Sequence, residues 1–175
     1  MSEEVRFETT GTLDEAFFME NAKYLLSPKF HQRRMILAAL ITVFLLAEAI
    51  WFSMPSLLVI LAIYWITFYP MTLWAQRRAA KTLTKRQYET YPDGRCEIGT
   101  SCVEAGVRSE NRTAGGAVVV SYEHLSTLAM ADHAYILMSK ANQLVVFFTD
   151  ELTEEERNAL REHLMEKCPK LKIIR

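Results

Sequence analysis

Two long apolar stretches, each bounded by an arginine pair, limit what this chain can fold into. The first covers residues 35–52 and follows Arg33-Arg34, and the second covers residues 55–74 and precedes Arg77-Arg78. Each is long enough to cross a hydrocarbon core, which takes roughly 20 residues of helix. Only residues 53–54, which carry no charge, separate the two stretches. The sequence therefore predicts a helical hairpin that crosses a membrane twice.

The charges beside these stretches predict how the hairpin is oriented. Basic side chains precede the first stretch and follow the second, and none lies between them. Because the cytoplasmic flanks of membrane helices carry the excess of lysine and arginine, both outer ends are expected in the cytoplasm. We therefore expect a two-pass protein of the cytoplasmic (inner) membrane with both termini cytoplasmic. A cleavable signal peptide is not expected, because the first apolar stretch follows an acidic segment rather than a short basic one.

The overall composition hides this organisation. The formal net charge is −1 and the mean hydropathy is +0.03, values typical of a soluble domain. Residues 28–91 are nevertheless rich in basic side chains, whereas residues 1–27 and 92–175 are acidic. The positive charge thus lies where acidic lipid headgroups are expected, so nucleic acid is not an expected partner. The three cysteines are odd in number and lack metal-ligand spacing, which fits a reducing compartment.

A short structured segment precedes the first span. Residues 5–9 alternate in the manner of a half-buried strand. Thr12 and Glu15 match a capping box, which predicts a helix over residues 13–26. The polar face of this helix is acidic and would be repelled by acidic lipid. We therefore expect the helix to pack on the cytoplasmic domain, and a position on the membrane surface is the alternative.

The region after the second span divides at a turn. The helix is expected to continue through residues 76–91, and Tyr91-Pro92-Asp93-Gly94 then breaks it. The predicted organisation is a lead-in at residues 1–27, a hairpin with a basic juxtamembrane helix at residues 28–91, and a β-rich domain at residues 92–175.

The β-rich domain is predicted from a change in periodicity. Six strands are predicted at residues 95–101, 107–110, 117–122, 125–131, 134–139 and 144–149. The last two are apolar on both faces, so both faces should be covered. A capping box from Thr153 to Glu156 begins a final helix that ends before Pro169. Its predicted buried stripe comprises Ala159, Leu160, Leu164 and Cys168. These elements indicate an α+β fold, a small antiparallel barrel or sandwich capped by a C-terminal helix.

Several features of this layout are shared with a known family. They are the early Phe7-Glu8-Thr9, the hairpin flanked by arginines, and a small β-rich domain that ends in a helix. With them the chain resembles the YcxB-like bacterial membrane proteins. Where that family has a tryptophan-small-glutamate-isoleucine segment, this chain has residues 121–125, and where the family often has a proline-lysine-arginine run, it has residues 147–152. The resemblance implies a pleckstrin-homology-like C-terminal domain and a membrane location, without an established activity.

Glu48 is the one ionisable residue inside a predicted span. Acidic side chains inside a bilayer are costly and often mark a proton relay, an ion site or a contact with a partner helix. Glu48 also lies about one turn from the outer end of its span, from where it can reach water. Three interpretations stay open: contact with water or headgroups, a packing or oligomer role, and a role in transport.

A basic cluster follows the second span and is the candidate lipid-headgroup site. It comprises Arg77, Arg78, Lys81, Lys85 and Arg86. Helical spacing places the first four on one face, and each such charge near an acidic surface is worth about 1 kcal/mol. The alternative is that the cluster only orients the hairpin.

No enzyme, metal or cofactor site is predicted. The acidic run at residues 150–156 is explained as a helix N-terminus, and the four histidines are scattered without metal-ligand spacing. We therefore expect a non-enzymatic, membrane-anchored cytoplasmic binding or scaffold module. Its expected partners are membrane lipid and another membrane or cytoplasmic protein, and a homo-oligomer stays open. The alternative is a small oligomeric transport or channel subunit that uses Glu48.

Overall fold

The computed structural model describes residues 6–26 and 28–174 and has an α+β architecture with two long apolar helices. The helices are α1 (Glu15–Glu20), α2 (Ala22–Leu25), α3 (Pro28–Trp51), α4 (Ser56–Thr90) and α5 (Glu154–Lys167). The strands are β1 (Arg6–Leu13), β2 (Cys96–Val103), β3 (Gly106–Asn111), β4 (Ala117–Ser121), β5 (Leu125–Met130), β6 (Ala134–Ser139), β7 (Leu144–Phe148) and β8 (Lys172–Ile174). Every strand predicted from the sequence is confirmed, and β8 is an addition.

The strands form two four-stranded sheets. The first has the order β1-β2-β3-β4 and is antiparallel throughout. The second has the order β7-β6-β5-β8, in which β8 runs parallel to β5. Within the described ranges no strand of one sheet pairs with a strand of the other, so the sheets do not close into a barrel. A cavity of about 520 Å³ is lined by residues of β2, β3, β4 and β7 and by the turn at Gly115 and Gly116.

The two sheets meet where β1 and β2 approach β7. The hydroxyl of Thr100 donates a hydrogen bond of 2.6 Å to the carbonyl oxygen of Val146. On β1, Gly11 lies so close to the ring of Phe148 that a Cβ atom there would overlap the ring. The absence of a side chain at Gly11 thus permits this approach between the sheets.

Two cores hold the fold together. The first joins both sheets to α5 and contains Cys102, Val107, Val120, Tyr122, Leu125, Leu128, Tyr135, Leu137, Val145, Phe147, Leu160, Leu164 and Cys168. The second joins the other face of the β6 sheet to the lead-in helices and α4, and contains Leu13, Phe17, Phe18, Ala22, Ala80, Cys96, Ala129, Ala134, Ile136 and Val146. Alternate residues of β6 and β7 belong to different cores. The prediction that both faces of these strands are covered is confirmed.

The lead-in differs from its prediction at the start of the helix. Thr12 belongs to β1, where it lies opposite Glu97, so it does not cap the helix. Asp14 is the cap instead, and its carboxylate accepts a 2.8 Å hydrogen bond from the backbone N–H of Phe17. The predicted single helix is divided into α1 and α2 at Asn21. The strand continues because its pairing with β2 satisfies the backbone through Leu13.

Two positions at the predicted limits of the lead-in, Val5 and Ser27, lie outside the described residues. The described part of the lead-in packs on the β-rich region, through β1 pairing and through the second core. This is the arrangement expected from its acidic polar face, rather than the surface position.

The helices α3 and α4 are long enough and apolar enough to cross a membrane. Only 6% of the most apolar window of α3 and 0% of that of α4 is buried, which is unlike the core helices of soluble proteins. The helices contact each other through a hydrogen bond of 3.2 Å from the Trp65 indole to the Thr42 hydroxyl. Ala38, which is fully buried, allows close packing beside this bond.

The hairpin is inserted between two adjacent strands of one sheet. The strands β1 and β2 are antiparallel neighbours, and all four of the first helices lie in the connection between them. At 35 residues and 1.5 Å per residue, α4 is about 52 Å long. A hydrocarbon core is about 30 Å thick, so the C-terminal part of α4 extends past the predicted span. The predicted continuation of this helix to the turn at residues 91–94 is confirmed.

The C-terminal helix begins as predicted. Thr153 and Glu156 form the capping box, and Leu160 and Leu164 are fully buried. The inclusion of Ala159 in the buried stripe was wrong, because that residue is exposed. The buried positions repeat every four residues and leave Ala159 on the solvent side of the helix.

Candidate functional site

The C-terminal part of α4 has one buried face. Ala80, Thr84 and Gln87 recur at helical spacing and are buried, and Leu83 is half-buried beside them. This stripe packs on α1 and α2. The same helix therefore supplies an apolar segment long enough to cross a membrane and a wall of the second core.

The side-chain amide of Gln87 fixes this helix to the domain. Its Nε2 donates to the carbonyl oxygen of Leu13, at the end of β1. It also donates a 3.2 Å hydrogen bond to the carbonyl oxygen of Gly94, in the turn that follows α4. Gly94 has a φ of 63° and lies against the Tyr88 ring, a position that only glycine fits.

The basic cluster predicted from the sequence lies on the outer face of α4, away from the buried stripe. All five of its side chains are exposed: Arg77, Arg78, Lys81, Lys85 and Arg86. Lys85 forms a loose ion pair with Glu89 at 4.0 Å, an exposed contact that is worth little. The guanidinium of Arg78 lies 5.0 Å from the ring centre of Trp74. Tryptophan beside arginine at the end of an apolar helical segment is typical of a membrane–water interface.

The start of α3 lies beside the same end of the hairpin. The guanidinium of Arg34 lies 5.0 Å from the ring of Phe68 on α4 and 5.7 Å from the ring of Phe30. Arg34 thus links the two helices, whereas its neighbour Arg33 is exposed.

Sequence reasoning missed one group of basic residues. Arg33 of α3, Lys140 after β6 and Lys172 of β8 line a single pocket of about 520 Å³. They are far apart in the sequence, and Lys172 reaches the pocket because β8 pairs with β5. A strand of three residues gives too short a pattern for prediction, so no signal in the sequence indicated this arrangement.

Glu48 lies three residues before the end of α3 and is half-buried. In the part of the chain that the structure describes, its carboxylate forms no ion pair. Three residues of helix correspond to about 5 Å, so the side chain is within reach of the loop that joins α3 to α4. It is far along the hairpin from the basic cluster, and the structure does not bring the two candidate sites together.

The cysteines are free thiols in the two cores. Cys96, Cys102 and Cys168 are all buried, and no disulfide joins them. Burial raises the pKa of the Cys102 thiol and of the Cys168 thiol to about 11 each. Burial likewise raises the pKa of the Tyr122 hydroxyl, which donates to the carbonyl oxygen of Val103 at 3.0 Å. Protonated thiols are poor nucleophiles and metal ligands, which excludes both roles for Cys102 and Cys168 near neutral pH. All three cysteines are core side chains.

The acidic run before α5 forms a helix cap. Glu156 accepts hydrogen bonds from the backbone and side chain of Thr153, which lowers the pKa of its carboxyl group. Among the histidines, His133 pairs with Asp150 at 2.6 Å on the surface, and this contact raises the pKa of the imidazole. Within residues 6–26 and 28–174 no cluster of three or more histidine, cysteine or acidic side chains is placed to hold a metal ion.

Comparisons with known proteins assign no family to this fold and site: no family model, no curated protein and no solved structure matches the chain.

Proposed function

We propose that the protein is a non-enzymatic module of the cytoplasmic (inner) membrane that holds a cytoplasmic binding domain against acidic lipid. In this proposal α3 and α4 cross the bilayer, and both termini are cytoplasmic. The basic face of α4, Arg77, Arg78, Lys81, Lys85 and Arg86, contacts lipid headgroups. The domain formed by β1–β8 and α5 then engages a lipid or protein partner at the surface.

One observation carries this proposal: α4 is continuous from its apolar half into the core of the domain. Its first half is exposed and apolar, and its second half buries Ala80 beside Phe17 and Phe18. A flexible linker would allow the domain to leave the membrane, whereas a continuous helix fixes its distance and orientation. The charged face of α4 is thereby kept close to the surface, where each basic residue is worth about 1 kcal/mol.

The fold supports a finer proposal. Two packed sheets with a C-terminal helix on their shared core fit a pleckstrin-homology-like domain, and the arginine-flanked hairpin fits the YcxB-like proteins. We propose this relationship from the order of the elements. It implies a binding role for the domain, without a catalytic constellation.

A fluorophore on α4 tests the contact with lipid. The full chain carrying Thr82→Cys, an exposed position between Lys81 and Lys85, is labelled with an environment-sensitive dye and placed in nanodiscs. Phosphatidylglycerol in place of phosphatidylcholine should shift the emission to the blue, and high salt should reverse the shift because it screens the charges. A dye at Glu154→Cys, exposed on α5, is the matched control.

A variant with four neutral side chains, Arg77→Gln, Arg78→Gln, Lys81→Gln and Lys85→Gln, separates the interpretations of the cluster. Loss of the shift supports lipid contact by this face. An unchanged shift would reduce the cluster to an orientation signal and assign the binding role to the β-rich domain, with a protein partner favoured.

A further inference from the structure

A basic pocket lies where the membrane hairpin meets the second sheet. It is lined by residues of β5, β6, β8 and the start of α3. Arg33, Lys140 and Lys172 line it, and no carboxylate side chain does. A concave site with three cations and no acid has a strong preference for an anion.

The cations of this pocket are available to a ligand. All three side chains are exposed. The ammonium of Lys140 donates a 2.7 Å hydrogen bond to the carbonyl oxygen of Glu123, which holds it in place without neutralising it. Within the described residues, neither Arg33 nor Lys172 forms an ion pair. Arg33 immediately precedes the predicted span, so the pocket is at the height of lipid headgroups.

An apolar cavity of about 450 Å³ adjoins the basic pocket. The two share Phe30, Met138 and Asn142 among their lining residues. The apolar walls come from the lead-in, α4 and the sheets, and include Leu13, Leu25, Leu26, Leu83 and Ile98. Both volumes lie in the range of about 300–1,000 Å³ that is typical of small-molecule sites.

The chemistry of the combined site is that of an amphiphile. Leu25, Leu26 and Leu83 are only half-buried, although they lie in the cytoplasmic part of the fold and not in the spans. An apolar group that covers these walls removes apolar surface from water, which lowers the free energy. A ligand that is anionic at one end and a hydrocarbon at the other satisfies both halves of the site at once.

From this geometry we propose that the protein binds one acidic lipid molecule, with its headgroup phosphate between Arg33, Lys140 and Lys172 and an acyl chain in the adjoining cavity. The inference rests on the proposed membrane location of the hairpin. It concerns a different surface from the basic face of α4, since none of the five residues of that face lines either cavity. The site holds a single molecule, whereas the α4 face contacts many headgroups weakly.

Native mass spectrometry of the full chain in mild detergent tests the proposal, after exchange has removed co-purified lipid. The probes are phosphatidylglycerol, phosphatidylcholine with the same chains, and glycerol phosphate without chains. We expect phosphatidylglycerol to bind one molecule per chain and the other two probes to bind much more weakly. The double change Lys140→Gln with Lys172→Gln should weaken phosphatidylglycerol binding about 30-fold, because two charges are lost.

Matched variants make the result specific. Lys81→Gln with Lys85→Gln removes two lysines from the α4 face and should leave the single bound lipid unchanged. Leu83→Trp and Leu26→Trp fill the apolar cavity and should reduce lipid binding without affecting a chainless anion. Thermal unfolding of each variant identifies those that do not fold. If the tryptophan variants do not fold, the two lysine pairs and the chainless probe still test the proposal.

Two outcomes would overturn the inference. Equal weakening by the two lysine pairs would mean that only general charge attracts the lipid. Glycerol phosphate binding as tightly as phosphatidylglycerol would mean an anion site that accepts free phosphate, with no chain in the cavity. In either case the dye shift on α4 can still occur, so failure of this inference and failure of the proposed function are distinguishable.

Discussion

The side chain of Gln87, on a helix that begins as an apolar span, donates a hydrogen bond to the main-chain carbonyl of Leu13, the last residue of β1. Both residues are buried. The bond joins a strand at one end of the hairpin connection to the helix at its other end. Together with the pairing of β1 and β2, it joins the two parts of a domain that a long insertion divides in the sequence.

Replacing Gln87 should therefore loosen the domain. In Gln87→Ala, the buried carbonyl oxygen of Leu13 loses its donor, which typically costs about 1–3 kcal/mol of folding free energy. Urea unfolding of the full chain in detergent, monitored by far-ultraviolet circular dichroism, measures this loss. Glu89→Ala, on the exposed side of the same helix, is the control and should change stability little. Equal stability of the two variants would show that the hydrogen bonds of Gln87 to Leu13 and Gly94 contribute nothing.

The contact between Gly11 and Phe148 makes a second prediction. A Cβ atom at position 11 would overlap the ring, which is half-buried and packs against the ring of Phe17. Gly11→Ala should destabilise the domain by about 1–3 kcal/mol, as overpacked core substitutions do. The measurement is the melting temperature of the full chain. Combining Gly11→Ala with Phe148→Leu should recover part of the loss, and a failure to recover any would point to backbone strain instead.

The buried thiols predict a dependence on pH. The pKa values of Cys102 and Cys168 are about 11 in the folded state, against an ordinary value of 9.0. As pH rises above about 9, the unfolded chain loses these protons first, so the stability that is present below that pH is lost progressively towards about pH 11. A pH series of urea midpoints measures this loss, which should be smaller in Cys102→Ala with Cys168→Ala. An identical alkaline loss in that variant would assign the effect to other groups.

The same burial predicts chemical reactivity. A maleimide reagent should modify native Cys96, Cys102 and Cys168 slowly near neutral pH and rapidly after unfolding, because all three side chains are buried. Mass spectrometry of the labelled chain counts the modified thiols. Fast labelling of the folded chain would contradict the assignment of these residues to the cores.

Replacing Glu48 separates the proposed module from a transport subunit. Glu48→Gln should leave the stability, the α4 dye shift and the bound lipid unchanged. Glu48 lies near the loop between α3 and α4, far from the basic face of α4 and from the basic pocket. Proton flux through vesicles that contain the purified chain is the measurement. Flux in the original chain that disappears in Glu48→Gln would favour the transport alternative.

The sequence predicted the elements better than their arrangement. Strands after Gly94 and the cap at Thr153 depend on neighbouring residues, and the structure has all of them. The start of α1 was misplaced because Thr12 and Asp14 are both good caps, and the choice depends on how far β1 pairs with β2. Pairing partners distant in the sequence leave no local signal.

The two groups of basic residues differ in the same way. The basic face of α4 has helical spacing and was predictable from five neighbouring residues. The pocket of Arg33, Lys140 and Lys172 was not predictable. It requires the parallel pairing of β8 with β5 and the position of the start of α3 beside the second sheet. The division of the strands into two sheets was not predictable either, because strand patterns do not show which strand edges pair.

Labelling from outside the cell tests whether α3 and α4 cross the membrane and leave the β-rich domain inside. Ser53→Cys lies in the exposed loop between the helices, and Glu89→Cys lies on the exposed side of the last turn of α4. A membrane-impermeant maleimide is added to intact spheroplasts that produce either variant. We expect rapid labelling of the first variant, and labelling of the second only after the membrane is permeabilised. Labelling of the second in intact spheroplasts, or protection of the first, would contradict this expectation.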